Sequence, residues 1–164
     1  MNKKILFLSV LMGALVMFAP SCSDSESDAC KDVDCGTNGD CFSGNCVCDD
    51  GYELGTDKKC SVLSREKFLG SYNATEACNV SGTYSCNINT SSTINKVVIN
   101  NFADGGTNVT CTVDGNSITV DAGQTIQNLA VSGTGTAAVS GSKTVITWTY
   151  KVGTINCTAT MTEQ

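Results

Sequence analysis

Eleven cysteines and no histidine decide which chemistry this chain can carry. Without histidine the commonest general base is gone, and zinc loses its usual nitrogen ligand. Cys46-Val47-Cys48 has one residue between its sulfurs, not the two of a zinc knuckle, so the cysteines are expected to bind one another and hold no metal. Glu66, Glu76, Asp104, Asp114 and Asp121 fall at strand ends and turns, where carboxylates face solvent. Serine and threonine are spread at strand spacing with no base beside them. No catalytic residue and no cofactor is expected, and the chain reads as a non-enzyme.

The N-terminus sets the compartment. Lys3 and Lys4 precede an apolar run from Ile5 to Ala19, too short for a comfortable bilayer span, so residues 1–21 read as a secretion signal. The segment Ala19-Pro20-Ser21-Cys22 resembles the lipobox of bacterial lipoproteins, although Pro20 departs from the usual pattern. The resemblance implies that Cys22 is diacylated and ties the mature chain to a membrane. Cysteine parity agrees, because an oxidised secreted protein should not leave one thiol over, and setting Cys22 aside leaves ten cysteines for five disulfides. Residues 22–28 are small and acidic and read as a flexible tether. That tether also resembles the acidic export tract of Bacteroidetes surface lipoproteins, which implies the outer membrane with the chain facing outward.

Removing the signal leaves eight basic residues against sixteen acidic ones. Residues 22–60 hold ten acids and three bases, while residues 61–164 hold six and five. A nucleic-acid partner needs clustered lysine and arginine to displace counterions, so that class is excluded.

From Cys30 the spacing is Cys30-x4-Cys35-x5-Cys41-x4-Cys46-x-Cys48-x11-Cys60, with Gly51-Tyr52 after the fifth cysteine. This resembles the EGF-like domain over residues 29–60. The resemblance implies Cys30 paired with Cys41, Cys35 with Cys46, and Cys48 with Cys60. So short a unit cannot bury enough core to offset its conformational entropy, and cross-links worth roughly 2–4 kcal/mol each must hold it. Calcium-binding members carry carboxylates and amides around the first cysteine. Glu26, Asp28 and Asn45 lie near such places, but Ala29 stands where an acid is usual, and no calcium is expected.

Residues 61–65 read as a linker, with a turn near Ser64 to Phe68. Residues 66–164 then change to Thr, Ser, Val, Ile, Asn and Gly, alternating apolar and polar between Gly, Asn and Asp turns, which is the pattern of antiparallel strands. Strands are predicted at 70–78, 83–91, 95–102, 107–113, 117–121, 126–132, 134–138, 143–152 and 154–162, with Gly133-Thr134-Gly135 as a bend or bulge in a sheet. Alternation turns Ile146, Trp148, Tyr150 and Val152 to one face, and it turns Cys78, Cys86, Cys111 and Cys157 inward. In a meander whose first and last strands meet, Cys78 pairs with Cys157 and Cys86 with Cys111. Pairing Cys78 with Cys86 across the first hairpin, and Cys111 with Cys157, fits almost as well.

The fold expected is mostly β: a small disulfide-rich module followed by an antiparallel barrel or sandwich of about eight strands. The stretch Phe68-Leu69-Gly70-Ser71-Tyr72 with the late Asn156-Cys157-Thr158-Ala159-Thr160 resembles small lipocalin-like β-domains of Bacteroidetes lipoproteins, in overall pattern. The function expected is non-catalytic binding or adhesion at the cell surface, to an extracellular protein or glycan. The alternatives are a carrier of a small apolar ligand and a structural subunit of a surface complex.

Overall fold

A computed structural model describes residues 29–164, so the signal segment, Cys22, Glu26, Asp28 and the tether lie outside the described residues. The cysteine-rich part is two small hairpins. β1 (Gly39–Phe42) pairs with β2 (Asn45–Cys48), and β3 (Tyr52–Leu54) pairs with β4 (Cys60–Leu63). Segment 61–65, expected as a linker, is ordered: it completes β4 and enters a 3-10 helix at Ser64–Phe68. Burial explains why, since Ser64 and Phe68 are both inside.

Nine strands follow: β5 (Gly70–Ala77), β6 (Ser81–Thr90), β7 (Lys96–Asn100), β8 (Asn108–Asp114), β9 (Ser117–Val120), β10 (Thr125–Ile126), β11 (Leu129–Ser140), β12 (Lys143–Val152) and β13 (Ile155–Glu163). Every neighbour is antiparallel. β5 pairs with β13, and β9 pairs with β11, so eight strands close into a barrel rather than a sandwich, with β10 an appendage on β11. Tight turns make this meander possible. Gly115, Gly141 and Gly153 take left-handed φ angles of 55°, 67° and 59° between successive strands, a conformation that costs glycine little.

One predicted break is absent. Residues 126–132 and 134–138 were expected as two strands, but β11 runs unbroken for 12 residues and pairs with β12 from Val131 to Ser140. Gly133 and Gly135 mark close approach, not a bend. A Cβ on Gly133 would lie 2.4 Å from Tyr150 Cβ, and one on Gly135 would lie 2.8 Å from the Trp148 ring. The missing side chains leave space for those two aromatic residues inside the barrel.

The interior is packed. Tyr72, Ile88, Val97, Ile99, Val109, Val113, Ile118, Ile146, Trp148, Tyr150 and Met161 form one buried cluster. Each end is corked by a phenylalanine outside the strands. At the end nearer the cysteine-rich hairpins, Phe68 is fully buried and its carbonyl accepts a hydrogen bond from the Tyr72 hydroxyl at 3.0 Å. At the far end Phe102 stands edge-on to Trp148 and Tyr150, with ring centroids 5.1 and 5.0 Å away. An eight-stranded barrel of this kind is filled by its own side chains.

Candidate functional site

Three features could carry function: the cross-linked hairpins, their junction with the barrel, and the far mouth of the barrel. In the hairpins Cys30 is bonded to Cys41, Cys35 to Cys46 and Cys48 to Cys60, with Cα separations of 5.8, 5.3 and 5.3 Å. Asn45 lies at the β1–β2 turn, where its amide nitrogen donates to Ser43 O at 3.3 Å. An open groove of about 720 Å³ beside these hairpins is lined by Asp32, Asp34, Leu54 and Lys59 among others, and Lys59 is ion-paired to Asp34 there. Among the described residues no cluster of three acidic or sulfur ligands is arranged for a metal.

The junction is a clamp. Lys67 of the 3-10 helix reaches Glu53 of β3 at 2.7 and 2.8 Å and Asn116 of the β8–β9 turn at 2.9 Å. Arg65 donates to the carbonyls of Ser91 and Thr93 at 2.9 and 3.1 Å, and Ser64 N–H donates to Gly51 O at 2.9 Å. Gly51, at φ 89°, lets the β2–β3 turn lie against Asn95, where a Cβ would come within 3.2 Å of that residue's backbone. Partial burial works to raise the Glu53 pKa, but hydrogen bonds from Lys67 and Ser64 outweigh it and hold the carboxyl below its ordinary value. The two parts are thus joined through side chains of three elements.

The far mouth gathers polar groups around a buried aromatic pair. Glu76, expected to face solvent, shares the inward parity of Tyr72 and Ala74 on β5 and of Cys78 just beyond it, and is only half exposed. It accepts a short hydrogen bond from the Tyr150 hydroxyl. Tyr84 stands beside this pair, and its hydroxyl accepts from Ala103 N–H at 3.1 Å. Burial first, and then the hydrogen bond to the Glu76 carboxylate, pushes the Tyr150 phenol upward, while burial raises the Tyr84 phenol against the opposing hydrogen bond from Ala103, so both stay protonated. The alternation that placed Tyr72, Ala74 and Cys78 together was the signal for Glu76. Asp121 differs from expectation too: it is partly buried, ion-paired to Lys96 and hydrogen-bonded by Thr112 at 2.6 Å. Its pKa is lowered because those two partners outweigh the opposing effect of burial.

The four barrel cysteines divide. Cys78 and Cys157 lie where β5 leaves and β13 begins, with Cα atoms 4.3 Å apart, and are bonded. Cys86 and Cys111 are buried free thiols, so the expected fifth bridge is absent. The ring order is the reason. Cys86 is on β6 and Cys111 on β8, with β7 between them, and Cys111 is level with Val97 while Asn87 beside Cys86 is level with Asn100. Two strand spacings, plus a stagger of several residues at about 3.3 Å each, exceed the 4.4–6.8 Å a disulfide spans. Pairing of Cys78 with Cys86 and Cys111 with Cys157 is excluded by the Cys78–Cys157 bond. Burial raises the Cys86 thiol to about 11 and, with Asp121 adding to it, the Cys111 thiol to about 12.

No family model and no curated protein matches the chain. A solved structure similar to it is that of a Bacteroides fragilis protein provisionally described as an outer membrane protein, at 22% identity and a TM-score of 0.38, covering 62% of this chain. The chain spans about half the length of that protein, 52%.

Proposed function

We propose that the chain is a lipid-anchored, non-catalytic display module of the outer membrane, in which an EGF-like unit carries a filled lipocalin-like barrel outward to meet a protein or glycan. The observation that supports it best is the junction. Lys67 ties Glu53 to Asn116, while Arg65 and Ser64 join the 3-10 helix to both sides, so the barrel is held at a set angle to the cysteine-rich hairpins. Rigid presentation lowers the entropy lost on meeting a partner. A packed interior also argues against carriage of an apolar ligand inside the barrel, since Tyr72, Trp148, Tyr150 and Phe102 occupy that space.

The test has two steps. Cells expressing the chain with and without Cys22→Ser are fed labelled palmitate and then shaved with protease while intact. The reading expects label on the parent only and protease access to the parent from outside; unlabelled parent, or full protection on intact cells, refutes the anchor or its orientation. The secreted Cys22→Ser chain is then run over glycan and matrix-protein arrays. Turnover of an array member without retention would overturn the non-catalytic part.

A further inference from the structure

At the far mouth of the barrel the side chains enclose an open cavity of about 220 Å³. Its walls are Ile126, Leu129, Val152, Ile155 and the Cys78–Cys157 bridge, and its polar groups include Glu76 and Tyr150. The rim is apolar and open to solvent: Leu129 and Ile155 are 48% and 38% exposed. The two loops around it hold left-handed residues that are not glycine, Asn101, Ala103 and Asp104 on one side and Gln127 and Asn128 on the other. Such conformations persist where surrounding structure imposes them, and they concentrate at binding sites.

The charge is out of place. Three ion pairs form among the described residues, Lys59–Asp34, Lys67–Glu53 and Lys96–Asp121, and none involves Glu76. Lys151, nearby on β12, has the parity of the outward threonines and is exposed. Among the described residues Glu76 therefore has one neutral donor, the Tyr150 hydroxyl, and faces a largely apolar chamber without a cation. A carboxylate partly removed from water with no counter-charge is costly, and a ligand that supplies the cation recovers that cost. The chamber lies below the usual 300–1,000 Å³ of drug-sized sites, which sets the ligand's size.

We propose that this mouth binds a small organic cation, a primary ammonium carried on a compact hydrocarbon body, with Glu76 as its counter-charge and Leu129, Val152 and Ile155 around the hydrocarbon. The site stands whether or not the chain is lipidated or displayed outward. Tyr150, by donating to Glu76, orients the carboxylate and leaves its remaining lone pairs for the ammonium.

The experiment titrates the full chain carrying Cys22→Ser with 2-phenylethylamine, 2-phenylethanol and phenylacetate, which share one skeleton and differ in charge. Calorimetry reads affinity, and methyl NMR signals of Ile126, Leu129 and Ile155 read location. The amine is expected to bind about ten- to a hundredfold more tightly than the alcohol, the scale of a charge-assisted hydrogen bond, and phenylacetate more weakly than either. Glu76→Gln should abolish the preference of amine over alcohol, with the amine losing far more affinity than the alcohol, and Leu129→Asn, at an exposed position, should weaken both. Equal binding of amine and alcohol to the parent, no binding, or binding that does not move those methyls overturns the proposal. The comparison among ligands on the parent decides the matter even where Glu76→Gln fails to fold.

Discussion

Replacing Gly133 by alanine adds a single methyl group at a place with no room for it. The nearest atoms to the new Cβ would be Tyr150 Cβ at 2.4 Å, Tyr150 Cα at 2.7 Å and Thr149 O at 2.8 Å. None of these is the end of a flexible side chain, so β11 and β12 themselves must separate. Overpacking of a core costs about 1–3 kcal/mol, and backbone displacement puts Gly133→Ala at the upper end, about 3 kcal/mol. At about 4–8 °C per kcal/mol for a domain of this size, the melting point should fall by about 12–24 °C. Gly82 supplies the control: it lies within β6 without a positive φ, and its nearest contacts are Glu76 side-chain atoms at 3.8 and 3.9 Å. Gly82→Ala should be neutral or stabilising by about 0.4–1 kcal/mol through the unfolded chain. Gly135→Ala should lie between them, because it meets the Trp148 ring at 2.8 Å and Ile118 Cγ2 at 3.0 Å, which are side chains that can shift a little. Thermal melts followed by circular dichroism, with urea titrations for free energies, give the order. A Gly133→Ala protein that melts within about 3 °C of Gly82→Ala would show that β11 does not approach β12 as described, and the filled-barrel reasoning would fail with it.

Acid should loosen the junction. Glu53 and Asp121 are held below their ordinary 4.5 and 3.8, so the stability they contribute is complete above those values and is lost as pH falls through the depressed ones; urea midpoints should be level above about pH 5 and drop below about pH 4, and in Lys67→Met, where Ser64 alone still favours the charged Glu53 carboxyl, the drop should shrink. Cys86 and Cys111 should ignore a thiol reagent in the native Cys22→Ser chain and should both react in denaturant without reductant; any other count of reactive thiols contradicts the pairing described. Mild reduction should unfold residues 29–60 before the barrel, because the hairpins bury little beyond Cys35 and Cys60 while the barrel keeps its core; hydrogen exchange during stepwise reduction checks the order, and barrel protection lost first or together refutes it.

Much of this structure could be read from alternation and spacing, because both are local properties. Ile146, Trp148 and Tyr150 lie inward as their parity requires, and the inward direction of Cys86, Cys111 and Cys157 needed no more than their strands. What a single strand cannot report is which strands are neighbours. Cys78 meets Cys157 only because the ring closes there, and Cys86 misses Cys111 because β7 lies between them. Gly133 and Gly135 show the same limit from another side. As letters they suggest a bend, yet their role depends on Tyr150 and Trp148 across the pair. Glu76 was misplaced for a different reason: a carboxylate at a strand end is ordinarily wet, and its inward parity was the stronger indication.

The mouth and the stability of the barrel depend on the same closure. The ring is shut at two seams, a long one of six residue pairs between β5 and β13 and a short one of three pairs between β9 and β11. The short seam stops early because β9 ends at Val120 while β11 runs on past Thr134 to its start at Leu129, so the far rim is ragged on that side, and β10 with Ile126 pairs with the overhang and fills part of the gap. A cross-link on the other side then matters more than its single bond suggests. Cys78 and Cys157 are 79 residues apart, and closing a loop of that length in the unfolded chain is worth about 4.5 kcal/mol, against about 3 kcal/mol for each loop of 11 or 12 residues among the hairpin cysteines. With the long seam pinned at the far end, the short seam can remain incomplete there without opening the barrel. The space left between the bridge and the β10–β11 turn is the chamber that Glu76 faces, so an opening in the rim is tolerated where the disulfide makes it affordable.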